Sequence, residues 1–160
     1  MNDPDPEPTP ASEPSEVDEV DEEAEVLSIR AMIDDWHDAA SEADEERYLG
    51  HFTEDAAFLG TDASERWTLA EFREYVQTFF PRGGWSYDPH DRHIVLATSG
   101  ELAWFDEQLT NAGYGELRGT GVVRRVDGAW RLAHYSMTFT VPNEVAREVV
   151  QRIKSWDEGR

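Results

Sequence analysis

From about residue 92 onward the chain adopts a period of two. The runs 92–98, 102–110, 116–126 and 129–141 alternate or are apolar, and Ser99-Gly100, Asn111-Ala112-Gly113 and Asp127-Gly128 separate them. Side chains on a strand point alternately to opposite faces, and Asp-Gly between two such runs is a strong two-residue hairpin signal. Four consecutive strands joined by such short turns can only form an antiparallel meander. One face of that sheet must be buried by whatever precedes it.

What precedes it is helical. Val26, Ile29, Ile33, Trp36 and Ala40 recur at spacings of three and four, laying an apolar stripe along a helix that runs to about residue 43, with Asp34, Asp35 and Asp38 opposite. A short helical segment over 44–52 supplies Tyr48, Leu49 and Phe52, and a strand is expected over 56–59. Thr68 with Glu71 three positions on reads as a capping box ahead of Leu69, Phe72, Val76 and Phe79. Pro81 and Gly83-Gly84 end that helix. A last helix opens at Pro142-Asn143, with Asn143 as its cap and Val145, Val149 and Ile153 on one side. The order ααβαββββα predicts an α+β domain whose helices pack on the concave face of a curved antiparallel sheet.

Residues 1–25 differ in kind. They hold 11 acids, several prolines and no Lys or Arg, with almost nothing to bury, so a disordered acidic tail is expected there and the folded domain over 26–158. The whole chain has 35 acids against 14 bases, a net charge of −21, and the remaining 135 residues still carry −10. Such a field excludes nucleic acid and anionic membrane as partners, since both need basic footprints. Thirteen arginines and one lysine, Lys154, on so acidic a surface match the composition of proteins from salt-loving organisms. There are no cysteines, which removes disulfides, thiolate nucleophiles and Cys-type zinc sites. No secretory signal and no apolar run of about 20 residues is visible, so a cytoplasmic location is expected.

Counting outward from Asp127-Gly128 places Thr120 opposite Tyr135 and Val122 opposite Ala133, so that Arg118, Thr120 and Val122 share a face with Tyr135 and Met137. His134, Leu132 and Trp130 take the other. Carried through the next turn, the count sets Trp104, Asp106 and Gln108 beside Val122, Thr120 and Arg118; a one-residue bulge would reverse it and bring in Glu107. A face with a carboxylate, a guanidinium, a hydroxyl and a phenol among large rings has the pattern of a small-molecule pocket. Asp106 there is either a general acid or base raised by desolvation or one half of an inert pair with Arg118. Tyr135 and, in the loop after the first strand, Asp62 are the further catalytic candidates. Trp36, Phe52, Trp67, Trp104, Arg118 and Thr120 are the candidate ligand contacts. His90 and His93 stand beside Asp88 and Asp91, but Pro89 and the local charge suit an exposed loop, and no metal or other cofactor is expected. His37 and His51 read as hydrogen-bonded structural histidines. Gly119 and Gly121 inside a strand point to a bulge or a close backbone approach.

The segments Phe52-Thr53-Glu54-Asp55-Ala56-Ala57-Phe58, Arg66-Trp67-Thr68, Ala103-Trp104-Phe105-Asp106-Glu107, Arg118-Gly119-Thr120-Gly121 and 127–134 (Asp-Gly-Ala-Trp-Arg-Leu-Ala-His), in this order of elements, resemble the SnoaL-like branch of the NTF2-like superfamily over residues 26–145. The resemblance implies a cone-shaped domain with a deep pocket, commonly a homodimer through its sheet, and members that include steroid isomerases, polyketide cyclases and dehydratases. Ketosteroid isomerases use an aspartate base with a tyrosine and a protonated aspartate as oxyanion hole. Laid on that pattern, these positions fall near Gly60, Trp36 and Gly121 or Val122, so that constellation is absent. The expected function is a small-molecule-binding protein, an acid/base enzyme on a hydrophobic carbonyl or cyclic compound; the alternative is a non-catalytic dimerisation or ligand-binding module working through Trp130, Leu132 and Val123.

Overall fold

The structure is a computed structural model that describes residues 16–159, with side chains from residue 22. Its elements run α1 (Glu16–Ser41), α2 (Glu45–Gly50), β1 (Phe52–Leu59), β2 (Arg66–Thr68), α3 (Leu69–Phe79), a 3₁₀ turn at Phe80–Arg82, β3 (Asp88–Leu96), β4 (Leu102–Asn111), β5 (Gly115–Val126), β6 (Ala129–Phe139) and α4 (Ala146–Glu158). The six strands make one sheet in the order β2-β1-β6-β5-β4-β3. The α+β cone implied by the resemblance is what forms. One pair departs from the expected antiparallel sheet: β1 runs parallel to β6, the last strand of the meander.

Each helix forms for local reasons. Asp44 caps α2 by accepting from the Arg47 backbone N–H. Thr68 and Glu71 make the reciprocal capping box at the start of α3. Asn143 does not cap α4: the cap position is Val145, with no side-chain bond. Helix α1 starts ten residues upstream of the expected Val26. Glu25 explains part of that extension, since it accepts from the Trp130 indole N–H at 2.8 Å and pairs with Arg125. The remainder of the expected tail, residues 1–15, lies outside the described residues.

The core sits between the helices and the sheet. Ile29, Ile33 and Trp36 of α1, Tyr48 and Leu49 of α2, and Phe72 and Val76 of α3 meet Ala103, Phe105, Val123, Trp130, Leu132 and Tyr135 of the sheet, all buried. At about 25 cal/mol for each Å² of apolar surface withdrawn from water, this layer is the main source of stability.

One irregularity fixes the site. The β5–β6 register runs Val126↔Ala129, Arg125↔Trp130, Arg124↔Arg131 and Val123↔Leu132, then shifts, pairing Val122 with His134, Gly121 with Tyr135 and Thr120 with Ser136. Ala133 is the extra residue of a β-bulge. Beyond it, β6 is one position out of the phase counted from the turn. Tyr135 therefore faces the core beside Gly121 and Gly119, while Thr120 faces out. The β4–β5 register is the one counted from the sequence, with Trp104↔Val122, Asp106↔Thr120 and Gln108↔Arg118.

Candidate active site

The core-facing phase of β4 reads Ala103, Phe105, Glu107, Leu109, and all four are buried. Glu107 is thus a carboxylate in an apolar row, with no exposed surface, and an ion in that position must be compensated. Three donors do so. His37 Nε2 lies 2.8 Å from Oε1, the Tyr135 hydroxyl donates to Oε1 at 2.9 Å, and Arg92 Nε donates to Oε2 at 2.7 Å. Arg92, almost as buried, is shared with Asp34 of α1 through Nη1 at 2.6 Å.

Burial alone would raise the Glu107 carboxyl, but the bonds and charges of His37 and Arg92 prevail and hold it below the usual carboxylate range. An ionised carboxylate only accepts. His37 Nε2 must therefore carry a proton toward Glu107, which leaves Nδ1 as the ring nitrogen that can exchange one. Among the described residues, Nδ1 makes no hydrogen bond. Burial, then the Glu107 charge, push the Tyr135 phenol well above its ordinary value, so it stays a donor at neutral pH.

Glycines make room for this cluster. A Cβ on Gly119 would stand 2.1 Å from the Tyr135 hydroxyl, and one on Gly121 would stand 2.4 Å from the Phe105 ring. The close backbone approach expected at these two positions is what forms.

His37 and Tyr135 open onto a cavity of about 300 Å³. Its walls are largely aromatic, including Trp36, Tyr48, Phe58, Trp67, Phe72 and Tyr75, with Gly60, Thr61, Glu65 and Arg82 among the remaining lining residues. Rings stack on rings: Phe58 lies parallel to Phe72 at 4.1 Å, and Trp36 meets Tyr135 edge-on at 4.7 Å. The Tyr87 phenol, also on the wall, is pushed up to about 12 by burial, so the phenols here are neutral. Apolar walls with a few converging polar groups are the usual make-up of a ligand site.

The residues expected from the sequence divide accordingly. Tyr135, Trp36 and Trp67 line the cavity. Phe52 is buried one layer behind, edge-on to Trp36 at 5.8 Å. Asp106, Trp104, Arg118 and Thr120 are exposed on the outer face, where Asp106 lies 3.5 Å from His93. The Ala133 bulge is the reason: it turns Tyr135 inward without them. Asp62 sits outside the cavity, its Oδ1 accepting from the Ser64 backbone and hydroxyl, as a loop-shaping aspartate does. Trp130, Leu132 and Val123, expected on the outward face, are core, and His134 is separated from them by the bulge. His90 lies within β3 and not in a loop ahead of it, and among the described residues no group of three or more His, Asp and Glu side chains could hold a metal ion. No helix there is long and apolar enough to cross a membrane.

His37 and Arg92 escaped the sequence reading as site residues, and Glu107 entered it only as the residue that a one-residue bulge would bring in. A signal for Glu107 existed, because Ala103-Phe105-Glu107-Leu109 is the apolar phase of β4 and Glu interrupts it. Arg118, Thr120 and Arg124 mark the opposite phase of β5 as the wet one.

The comparisons with known proteins agree with this architecture. The SnoaL-like domain model matches residues 29–142. An NTF2-like protein of unknown function from Pseudomonas putida KT2440 superposes with a TM-score of 0.63 at 16% identity, over 78% of this chain and 92% of that one. A candidate scytalone dehydratase from Novosphingobium aromaticivorans gives 0.64 at 15% identity, over 75% and 87%. A candidate dehydratase of the NTF2-like family from Streptomyces avermitilis gives 0.65 at 11% identity, over 75% and 99%. At such identities these structures share the fold alone. Among curated proteins no sequence matches the chain. The family match spans most of the chain and every element that builds the cavity, and the chain belongs to the SnoaL-like domain family.

Proposed function

We propose that the cavity binds an uncharged, ring-bearing carbonyl compound and that His37 moves a proton at the carbon next to the carbonyl. The observation that carries this reading is the buried His37–Glu107 pair on the wall of an aromatic cavity. The carboxylate fixes the ring and its tautomer, so that the lone pair at Nδ1 serves as base. In the step, Nδ1 takes the proton from carbon, the C–H electrons become the enolate double bond, and the carbonyl π electrons move to oxygen. Return of the proton to the same or a conjugated carbon completes an exchange or an isomerisation. Glu107, kept ionised by Arg92, stabilises the imidazolium that forms in between. Aromatic walls select flat apolar rings and keep water from the enolate.

The experiment uses 1-tetralone, a bicyclic ketone, in deuterium oxide. Mass spectrometry of the ketone should show catalysed deuterium uptake at the carbon beside the carbonyl. His37→Gln should lower that rate by about 100-fold or more while binding persists. Uptake no faster than in buffer, with the ketone bound, would remove the acid/base reading and leave a ligand-binding module.

A second reading concerns the outer sheet face. Val95, Trp104, Val122 and His134 form one cross-strand row there, and Val95 and Trp104 are 46% and 48% exposed. We infer a homodimer through this row, in place of the buried Trp130, Leu132 and Val123. The acidic surface and the absence of cysteine suit a salt-rich, reducing cytoplasm.

A further inference from the structure

Helix α4 is the one α-helix of the described chain with no buried residue. Its apolar stripe is uncovered: Ile153 is 54% exposed and Trp156 67%. Thirteen residues are too few for a helix to be stable in water by propensity alone, so α4 needs a surface to pack on. The chain is pinned to the body as far as Thr140, whose N–H and hydroxyl both donate to the Glu116 carbonyl, at 3.4 and 3.0 Å. After that, the backbone bonds Val145 to Pro142, Ala146 to Asn143 and Val149 to Val145 are all local. The helix therefore hangs on a short connection.

Its stripe already faces one part of the protein. Arg152, Ile153, Trp156 and Asp157 line one side of a cleft whose other side is the loop Thr61, Asp62, Ala63 and Ser64. Thr61 belongs to both this cleft and the aromatic cavity, so the loop is the rim of the cavity. Tyr114, which also lines the cavity, is exposed and meets the exposed Phe139 ring edge-on at 5.6 Å.

We propose that α4 is the closing wall of the ligand site: it swings onto the 61–64 loop when the cavity is filled, and Ile153 and Trp156 cover the bound molecule. This rests on the reading of the cavity as a small-molecule site. The occupant of the cleft is this chain's own helix, since the loop it would meet is already across from its apolar stripe. Closing buries the stripe that water now touches and withdraws the ligand from solvent in one movement.

The absence of native cysteines allows a clean test. In Ala63→Cys/Ile153→Cys protein, mild oxidation should form a disulfide within one chain at every protein concentration. Dissociation of 1-tetralone, followed by tryptophan fluorescence in stopped flow, should slow by about tenfold or more on oxidation and recover on reduction. Trp156→Ala, a change at an exposed position that leaves folding intact, should weaken 1-tetralone binding about fivefold without altering the free protein's melting temperature. A disulfide that forms only between two chains would overturn the proposal in favour of a second copy as the occupant. An intrachain disulfide that leaves dissociation within twofold would overturn the lid and spare the pocket. If 1-tetralone fails to bind the unmodified protein, the pocket reading falls and the lid with it.

Discussion

Glu107 is held ionised by three donors in a place where a lone carboxylate would not stay charged, and the consequences can be measured one residue at a time. Glu107→Gln leaves Arg92 buried with Asp34 as its remaining anion and weakens the anchor of His37. Breaking a buried pair in this way costs about 3 kcal/mol, which urea denaturation at pH 7 should read as a lower midpoint. The pH dependence has a definite sign. The folded-state value of Glu107 is lowered from 4.5, so its contribution is complete above that value and is lost as pH falls below it. The wild-type midpoint should therefore fall below pH 4.5 more steeply than that of Glu107→Gln. Gly119→Ala tests the packing behind the same cluster. Its Cβ displaces the Tyr135 hydroxyl, costing about 2 kcal/mol and weakening 1-tetralone binding. At this scale the sequence was partly legible. Tyr135, Trp36 and Trp67 are recognisable because large rings seek the interior, and Glu107 is recognisable once the apolar phase of β4 is read as the inner one. His37 is not, because nothing local says that a helix residue will meet a carboxylate 70 positions later.

At the scale of elements, the helices announce themselves through caps and three-four spacing, and the meander through its turns, because these signals are local. The Ala133 bulge is not local. It forms because β6 must pair with β5 on one side and with β1 on the other, and the partner in a parallel pair is set by the whole chain. A single inserted residue exchanged the faces, moving Asp106, Arg118 and Thr120 away from Tyr135. Deleting Ala133 should restore the uniform count and turn Tyr135 outward. The expected outcome is loss of the near-ultraviolet circular dichroism that packed rings produce, whereas a deletion that leaves this spectrum intact would mean that the bulge does not set the face.

For the whole molecule, charge and surface dominate. Acids outnumber bases 35 to 14, so self-repulsion opposes folding in dilute buffer. Between about 0.1 and 1 M salt the screening length falls from about 10 to about 3 Å. The melting temperature should rise by roughly 3 °C or more over that range of potassium chloride, a gain of about 1 kcal/mol for a chain of this size. Trp104→Asp should convert the proposed homodimer to a monomer in sedimentation at high salt while leaving the cavity unchanged. Class, cone and sheet order were legible at this scale, because patterning and the order of elements restrict the topology to few choices. The occupant of the cavity was not, because aromatic walls accept many flat molecules.

The central claim is that His37, held by Glu107 at the cavity wall, is the group that meets the ligand. The most direct measurement is the long-range ¹H–¹⁵N spectrum of the histidine rings, with His37 assigned by its loss in His37→Gln, recorded with and without 1-tetralone. The expected result is a His37 ring that holds its Nε2 proton, and whose Nδ1 resonance moves when the ketone is added while those of His93 and His134 stay in place. A His37 ring protonated at Nδ1, or an Nδ1 signal indifferent to bound ketone, would contradict it.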